Sequence, residues 1–175
     1  MSEGEGASVG GVEGELESRR EHERMKYVTL ANRPGFKYGS GYYGKRAMGM
    51  VREWARGGGL VVDMGCGRNR FAMDLRRYGV RAVGVDFAFS EADVVRPMHD
   101  TGLASGIADV VTSFDALEHL LPEEVGEALD EMRRVGVRGA RFCFSICTRA
   151  SRITVNGENL HPTVRSLSWW VDEIA

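Results

Sequence analysis

The run Leu60-Val61-Val62-Asp63-Met64-Gly65-Cys66-Gly67 constrains the fold of this chain more than any other feature. Consecutive apolar residues without alternation suit a strand buried on both faces, as in a parallel sheet, and the run ends on an acid. Two glycines one residue apart then allow a tight turn and close approach of the backbone to a ligand. The spacing predicts a helix from that turn through about Tyr78. The same alternation continues downstream. A strand over Ala82–Val85 ends at Asp86, and a strand over Asp109–Ser113 leads into Phe114-Asp115-Ala116-Leu117-Glu118-His119. Pro122 opens an amphipathic helix marked by Val125, Leu129 and Met132, running to about Arg134. A strand over Ala140–Cys147 and a short helix near Ser166–Ile174 complete the pattern. Upstream, Ala47, Met50, Val51 and Trp54 have helical spacing from about Tyr43, and Gly57, Gly58 and Gly59 stop that helix. Strands alternating with helices imply an α/β domain with a mainly parallel sheet.

The chain has 175 residues, the size of one domain. Residues 1–24 hold seven Glu, three Arg and five Gly with few large apolar groups. Such a stretch cannot offset its ordering entropy and reads as a disordered acidic tail, which leaves 25–175 as a single domain. No run reaches the roughly 20 apolar residues of a membrane span, and the start lacks the pattern of a signal peptide, so the expected address is cytoplasmic. A formal charge of −2 argues against nucleic acid binding by the whole surface, though not by a local patch. Cys66, Cys143 and Cys147 are an odd set that fits free thiols better than a disulfide framework.

In open α/β sheets a ligand sits beyond the carboxyl ends of the strands. Asp63, Gly65 and Gly67 fall there, as do Asp86, which suits the diol of a ribose, and Asp115, Glu118 and His119. Arg70 stands where a nicotinamide-type fingerprint wants a small residue, which weakens a dinucleotide reading. Val61-Val62-Asp63-Met64-Gly65-Cys66-Gly67 resembles motif I of class I S-adenosylmethionine (SAM)-dependent methyltransferases. Val83-Gly84-Val85-Asp86 resembles their ribose-binding second motif, and the segment from Val110 to Leu120 their fourth. The likeness spans about Tyr43–Ile174 and is nearest to the short, methyltransferase-11 or ubiquinone-pathway-like variety. It implies a Rossmann-like three-layer sandwich. It further implies that Asp63, Gly65 and Gly67 surround the methionine end of SAM, Asp86 holds the ribose, and Phe87 packs on the adenine. Asp93 would accept from the adenine amino group, and Ser113 or Phe114 would touch the methionine moiety.

This chain departs from that pattern in three ways. Asn69 replaces the loop's third glycine and tolerates the same left-handed backbone. Only six residues separate Asp86 from Asp93, whereas a parallel crossover needs a dozen or more. The expected sheet therefore lacks the third strand and has order 2-1-4-5 in family strand naming. Only 28 residues follow Cys147, too few for the family's C-terminal strand pair as well as a helix. Strand 140–147 is then an edge, to be covered by helix 166–174 or by a second copy of the chain in a homodimer, unless the sequence is truncated.

The resemblance implies transfer of a methyl group to an O, N or C nucleophile of a small or medium-sized substrate. His119, His161 and Asp115 are the candidates for catalysis, and His119, with an ordinary pKa of about 6.5, suits base work. Asp115-x-x-Glu118-His119 with a later histidine also resembles the acid-x-x-Glu-His cluster of ubiquinone-pathway O-methyltransferases and small-RNA 2′-O-methyltransferases. That implies Mg²⁺ or another divalent metal on Asp115, Glu118 and His119, acting on a small hydroxyl substrate or an RNA 2′-OH. A catalytically silent SAM-binding or partner-binding domain is the third reading. Two segments have candidate substrate contacts. Trp169 and Trp170 point about 100° apart on a helix, so one packs beneath it while the other either lines the substrate mouth or also anchors the helix. The stretch 33–46 carries Arg33, Phe36, Lys37, Tyr38, Tyr42, Lys45 and Arg46, and reads either as a solvated loop or as a substrate surface.

Overall fold

The structure is a computed structural model and describes residues 9–35 and 43–175, with side chains from Gly14 onward. Phe36, Lys37, Tyr38 and Tyr42 lie outside the described residues, as do residues 1–8 of the tail.

The sheet has five parallel strands in the order β3-β2-β1-β4-β5. They are β1 (Leu60–Met64), β2 (Arg81–Asp86), β3 (Val94–Val95), β4 (Ala108–Phe114) and β5 (Gly136–Ser145). On one face, α2 (Met48–Trp54) and α3 (Arg70–Arg77) cover Val61, Ala82 and Val110 with Val51, Phe71 and Leu75. On the other, α4 (Pro122–Val135) and α5 (Leu167–Ile174) cover Val62, Val85 and Val111 with Leu129, Met132 and Trp170. Alternate residues of β1 and β4 thus serve opposite cores, which is why those strands read as unbroken apolar runs. A separate hairpin, β6 (Thr154–Val155) with β7 (Glu158–Asn159), stands apart from the sheet.

Three expectations are corrected. The third strand is present as a two-residue remnant, with Val85 opposite Val94 and Asp86 opposite Val95. The crossover rule presumes a chain that must travel back along a full strand. Here β3 starts beside the end of β2, so the return is only about one residue long and needs no helix. The disordered tail is replaced by α1 (Val9–Ala31), which lies across the carboxyl end of the sheet. Its docking comes from distant partners: Arg20 bonds Glu124 at 3.0 Å and Glu127 at 2.6 Å on α4, and Lys26 reaches Glu158 at 2.7 Å. Tyr27 and Leu30 pack with Phe89, Val155 and Leu160 in a third, smaller core. The two tryptophans share one fate. Trp170 is buried in the α4 core and Trp169 packs on the same cluster, their rings edge to face at 4.8 Å, so neither lines the cavity below.

The sheet ends at β5. Helix α5 sits on the face of the sheet beside α4, where the Arg133 guanidinium donates to the Glu173 and Ile174 carbonyls, and it adds no strand to that edge.

The glycine turn is held from beneath. Asn69, at φ 59°, is buried, and a Cβ on Gly84 would lie 2.1 Å from its Oδ1. Gly84→Ala therefore overpacks the turn and should cost about 1–3 kcal/mol, read as a lower urea midpoint with unchanged slope.

Candidate functional site

At the carboxyl ends of β1, β2 and β4 the chain encloses a cavity of about 210 Å³. Gly65, Asp86, Phe87, Asp115 and His119 line it, as the sequence predicts. The backbone makes this wall. Gly65 has φ +74° and Gly67 φ +53°, conformations that turn the chain sharply out of β1. The Gly67 N–H donates to Asp86 Oδ2 at 2.9 Å, while Asp86 Oδ1 accepts from the Ala88 and Phe89 N–H groups at 2.8 and 3.2 Å. Burial pushes the Asp86 carboxyl up, against the pull of these three donors.

Other expected contacts sit behind the wall. Asp63 accepts from Thr112 Oγ1 at 2.7 Å across to β4 and does not reach the cavity lining. Its carboxyl is pushed up to about 7, chiefly by burial, with the Asp86 charge adding to the effect and the Thr112 hydroxyl opposing it. Ser113 is buried with an unpartnered Oγ and is likewise outside the lining. Asp93 is turned elsewhere: its Oδ2 accepts from the Gly84 N–H at 2.8 Å, from Asn69 Nδ2 at 3.1 Å and from Arg76. Those donors hold its carboxyl below the usual range against the effect of burial. The segment that does form that side of the cavity is Val95-Arg96-Pro97-Met98-His99, directly after β3. Helix α1 closes the top with Arg20, Glu23, Arg24 and Tyr27. Neither is evident from the sequence. The segment after β3 has no motif, and the composition of the first 24 residues points to disorder.

Beside the cavity, Glu118, His119 and His161 converge, each offering an atom within 4.8 Å of the others. His119 Nδ1 bonds the Leu160 carbonyl at 2.8 Å and the Tyr27 hydroxyl, which itself donates to the same carbonyl at 3.1 Å. His161 Nδ1 bonds the Arg149 carbonyl at 2.6 Å. A carbonyl only accepts, so Nδ1 of each ring carries a proton, and the Asp115 backbone is a second hydrogen-bonding neighbour of the His119 ring. Glu118 Oε1 accepts from the Cys147 N–H at 2.6 Å, and its Oε2 is buried without a partner. Asn159 presents His161 by accepting from the Ser151 and His161 N–H groups at 2.9 Å each. Burial pushes Glu118 up, with Asp115 adding to the shift, and pushes His119 down. Two imidazoles around a carboxyl oxygen without a hydrogen-bond partner suit a shared proton or a divalent cation. Asp115, at φ 56°, lines the cavity and interacts with both Glu118 and His119, and His161 joins them.

Residues 62–144 match the family described as Methyltransferase domain. No curated protein matches the sequence. Among solved structures, PH0226 protein from Pyrococcus horikoshii OT3 aligns at TM-score 0.53 and 23% identity, over 66% of this chain and 64% of its own. The 1,6-didemethyltoxoflavin-N1-methyltransferase of Burkholderia thailandensis, solved with 1,6-didemethyltoxoflavin and S-adenosylhomocysteine, aligns at 0.57 and 18% identity over 81% and 65%. The [4+2]-cyclase SpnF aligns at 0.61 and 14% identity, over 91% and 71%. At these identities the likeness is one of fold, and a cyclase among the neighbours shows that this fold does not dictate one reaction. This chain spans a little under two thirds of the Pyrococcus and Burkholderia proteins.

The raised Asp63 carboxyl gives a pH test. Its folded value lies above the unfolded value of about 3.9, so the folded state holds the proton more tightly. The side chain therefore costs no stability below about pH 4, costs progressively more as pH rises towards 7, and costs a constant amount above that. Asp63→Asn keeps an oxygen for Thr112 and removes the titration. Differential scanning fluorimetry of the ligand-free protein should place the variant's midpoint above wild type at about pH 8, the two converging near pH 4.

Proposed function

From a chain whose residues 62–144 match the family described as Methyltransferase domain, we propose a SAM-dependent methyltransferase that acts on a small or medium-sized substrate. The observation that carries this reading is Asp86 at the wall of an enclosed cavity, next to the Gly65 turn. The residues fit the cofactor: a prepositioned carboxylate suits a ribose diol, Phe87 supplies an apolar face beside it, and bare glycine backbone leaves room for close approach. When bound, SAM supplies an electrophilic methyl group on its sulfonium sulfur. The chain's own part is to align a nucleophile, exclude water and accept a proton. Helix α1 and the 147–161 segment exclude water from the histidine cluster. His119, locked in orientation by Leu160 and Tyr27, is the proton acceptor, and His161 and Asp115 complete its surroundings.

A second reading is favoured by Glu118, His119 and His161 offering ligand atoms within 4.8 Å of one another, with Glu118 Oε2 buried without a hydrogen-bond partner. Glu118, His119 and His161 would hold a divalent cation such as Mg²⁺ or Mn²⁺, which would acidify an acceptor hydroxyl when bound. In that case the acceptor atom is oxygen.

Calorimetry with S-adenosylhomocysteine should show micromolar binding, and Asp86→Asn should weaken it about tenfold or more, a loss of about 1.4 kcal/mol. No binding by the folded wild type would overturn the assignment. For the metal, titration of Mn²⁺ followed by electron paramagnetic resonance should show one site lost in Glu118→Gln and in His161→Ala. A wild type that leaves all Mn²⁺ free leaves the cluster to the shared proton alone.

A further inference from the structure

The low net charge conceals a strongly one-sided distribution. On the α2 and α3 side of the sheet, Lys45, Arg46, Arg52, Arg81 and Arg141 are all exposed and have no carboxylate within ion-pair distance among the described residues. The acids on that side are engaged, Glu53 by Arg56, Asp74 by Arg77, Asp93 by Arg76, and Asp109 by the Leu60 N–H at 2.7 Å. The acids of the opposite layer, on α4, are about two helix diameters away across the sheet, roughly 20 Å. At physiological ionic strength the screening length is about 8 Å, so they do not cancel the field of this face.

A groove of about 410 Å³ opens in the same face at the amino ends of β1 and β2. Its rim carries Arg52, Arg56, Glu53, Tyr78 and Arg81, and its floor is the glycine backbone at 57–59 and 79. A Cβ on Gly57, Gly58 or Gly79 would meet nothing within 4 Å, so this floor is open to a ligand and not filled by packing. The guanidinium groups are orientated. Arg52 lies 4.0 Å over the exposed Tyr78 ring, Arg141 lies 5.6 Å over Trp54, and Arg81 is tied to the Gly58 carbonyl at 3.3 Å. Arg52 and Arg141 are thus held over rings and Arg81 on a carbonyl, and the planar fork of an arginine receives phosphate oxygens in pairs.

We propose that this face binds the phosphodiester backbone of a single-stranded nucleic acid, with the glycine-floored groove seating one phosphate. A single strand is favoured over an isolated phosphate because the unpaired cations continue past the groove to Lys45 and Arg46. Those two lie beside Gly44, which packs on Phe114 at the catalytic end of the sheet. It is favoured over an acidic polypeptide because exposed Tyr78 and Tyr43 accompany the arginines, and bases stack on such rings whereas carboxylates do not. The strand would run along the α2 and α3 layer as a ligand separate from the small or medium-sized molecule that the cavity takes.

The test is fluorescence anisotropy of a labelled oligouridylate of about a dozen nucleotides. Binding by wild type should weaken linearly with the logarithm of salt concentration. Arg52→Gln with Arg81→Gln should lower affinity about tenfold or more at low salt and flatten the slope by about one for each phosphate no longer neutralised, with S-adenosylhomocysteine binding unchanged. Arg133→Gln, on the opposite layer, should match wild type. If the double variant does not fold, Lys45→Gln with Arg46→Gln reads the same face. The proposal is overturned if wild type does not bind at low salt, or if folded variants bind as tightly as wild type. It is also overturned if polyglutamate displaces the probe as well as unlabelled oligouridylate does at equal charge.

Discussion

The carboxylate of Asp86 is the constraint on which the site depends. It ends β2, yet its two oxygens collect the N–H of Gly67 from the turn after β1 and those of Ala88 and Phe89 from the turn after β2. One side chain thus fixes the shape of two loops, which Asn69 and Arg68 tie together again through Glu91. Burial works against the charge, and the three donors oppose that penalty. The acid is consequently rigid before any ligand arrives, and so is the wall of which it is part. The short return from β2 to β3 starts from the same turn, with the Arg96 N–H donating to the Asp86 carbonyl at 3.1 Å. The glycine turn and the cavity wall thus rest on one buried anion, and β3 pairs with the backbone of the same residue.

The histidine cluster depends on a different kind of contact. Its members come from the loop after β4 and from the segment after β5, and Tyr27 comes from a helix 92 residues before His119. Between Gly14 and Arg20 helix α1 buries little apolar surface, and ion pairs with α4 and Glu158 take the place of a hydrophobic seam. Exposed pairs of this kind contribute about 0–1 kcal/mol each, so the docking is a sum of weak interactions, the half-buried Arg20–Glu124 pair foremost. The helix that completes the cavity and orients His119 is therefore also the element most easily detached.

How much of this is legible in the sequence follows the range of the interactions. Strand β1, its glycine turn and α3 are readable because a strand buried on both faces, two positive-φ glycines and a helical repeat are all local properties. Asp86 is readable for the same reason, since it closes an apolar run. The ordered α1 is not, because Arg19, Arg20 and Lys26 find their partners more than a hundred residues away. Composition counts glutamates but cannot see which arginines they meet. Strand β3 escapes a rule for full-length crossovers because it is only two residues long. The position of Asp93 after β2 points to the cavity, whereas its carboxylate supports the Gly84 N–H and the Asn69 side chain beneath the turn. His161 stands out in the sequence, but its pairing with Glu118 requires Asn159 to fold the 151–161 segment back.

Net charge misleads for a related reason. Helices α2 and α3 go to one face of the sheet and α4 and α5 to the other, so a count over the whole chain adds the two layers and returns a value near zero. In space the layers differ both in sign and in how far their charges are satisfied. The glutamates at the start of α4 are met by arginines from α1, and Asp130 and Glu131 by Arg133 and Arg134, so the acidic layer is neutralised from within. On the basic layer Glu53, Asp74 and Asp93 are taken by Arg56, Arg77 and Arg76, and Asp109 by the Leu60 N–H, which leaves Arg46, Arg52, Arg81 and Arg141 without a carboxylate among the described residues. A fold needs no unpaired cations for its own stability, and clustering them raises the energy of the compact state. Their retention on one face, stacked on aromatic rings around a floor of bare backbone, is therefore better accounted for by an external anion than by folding.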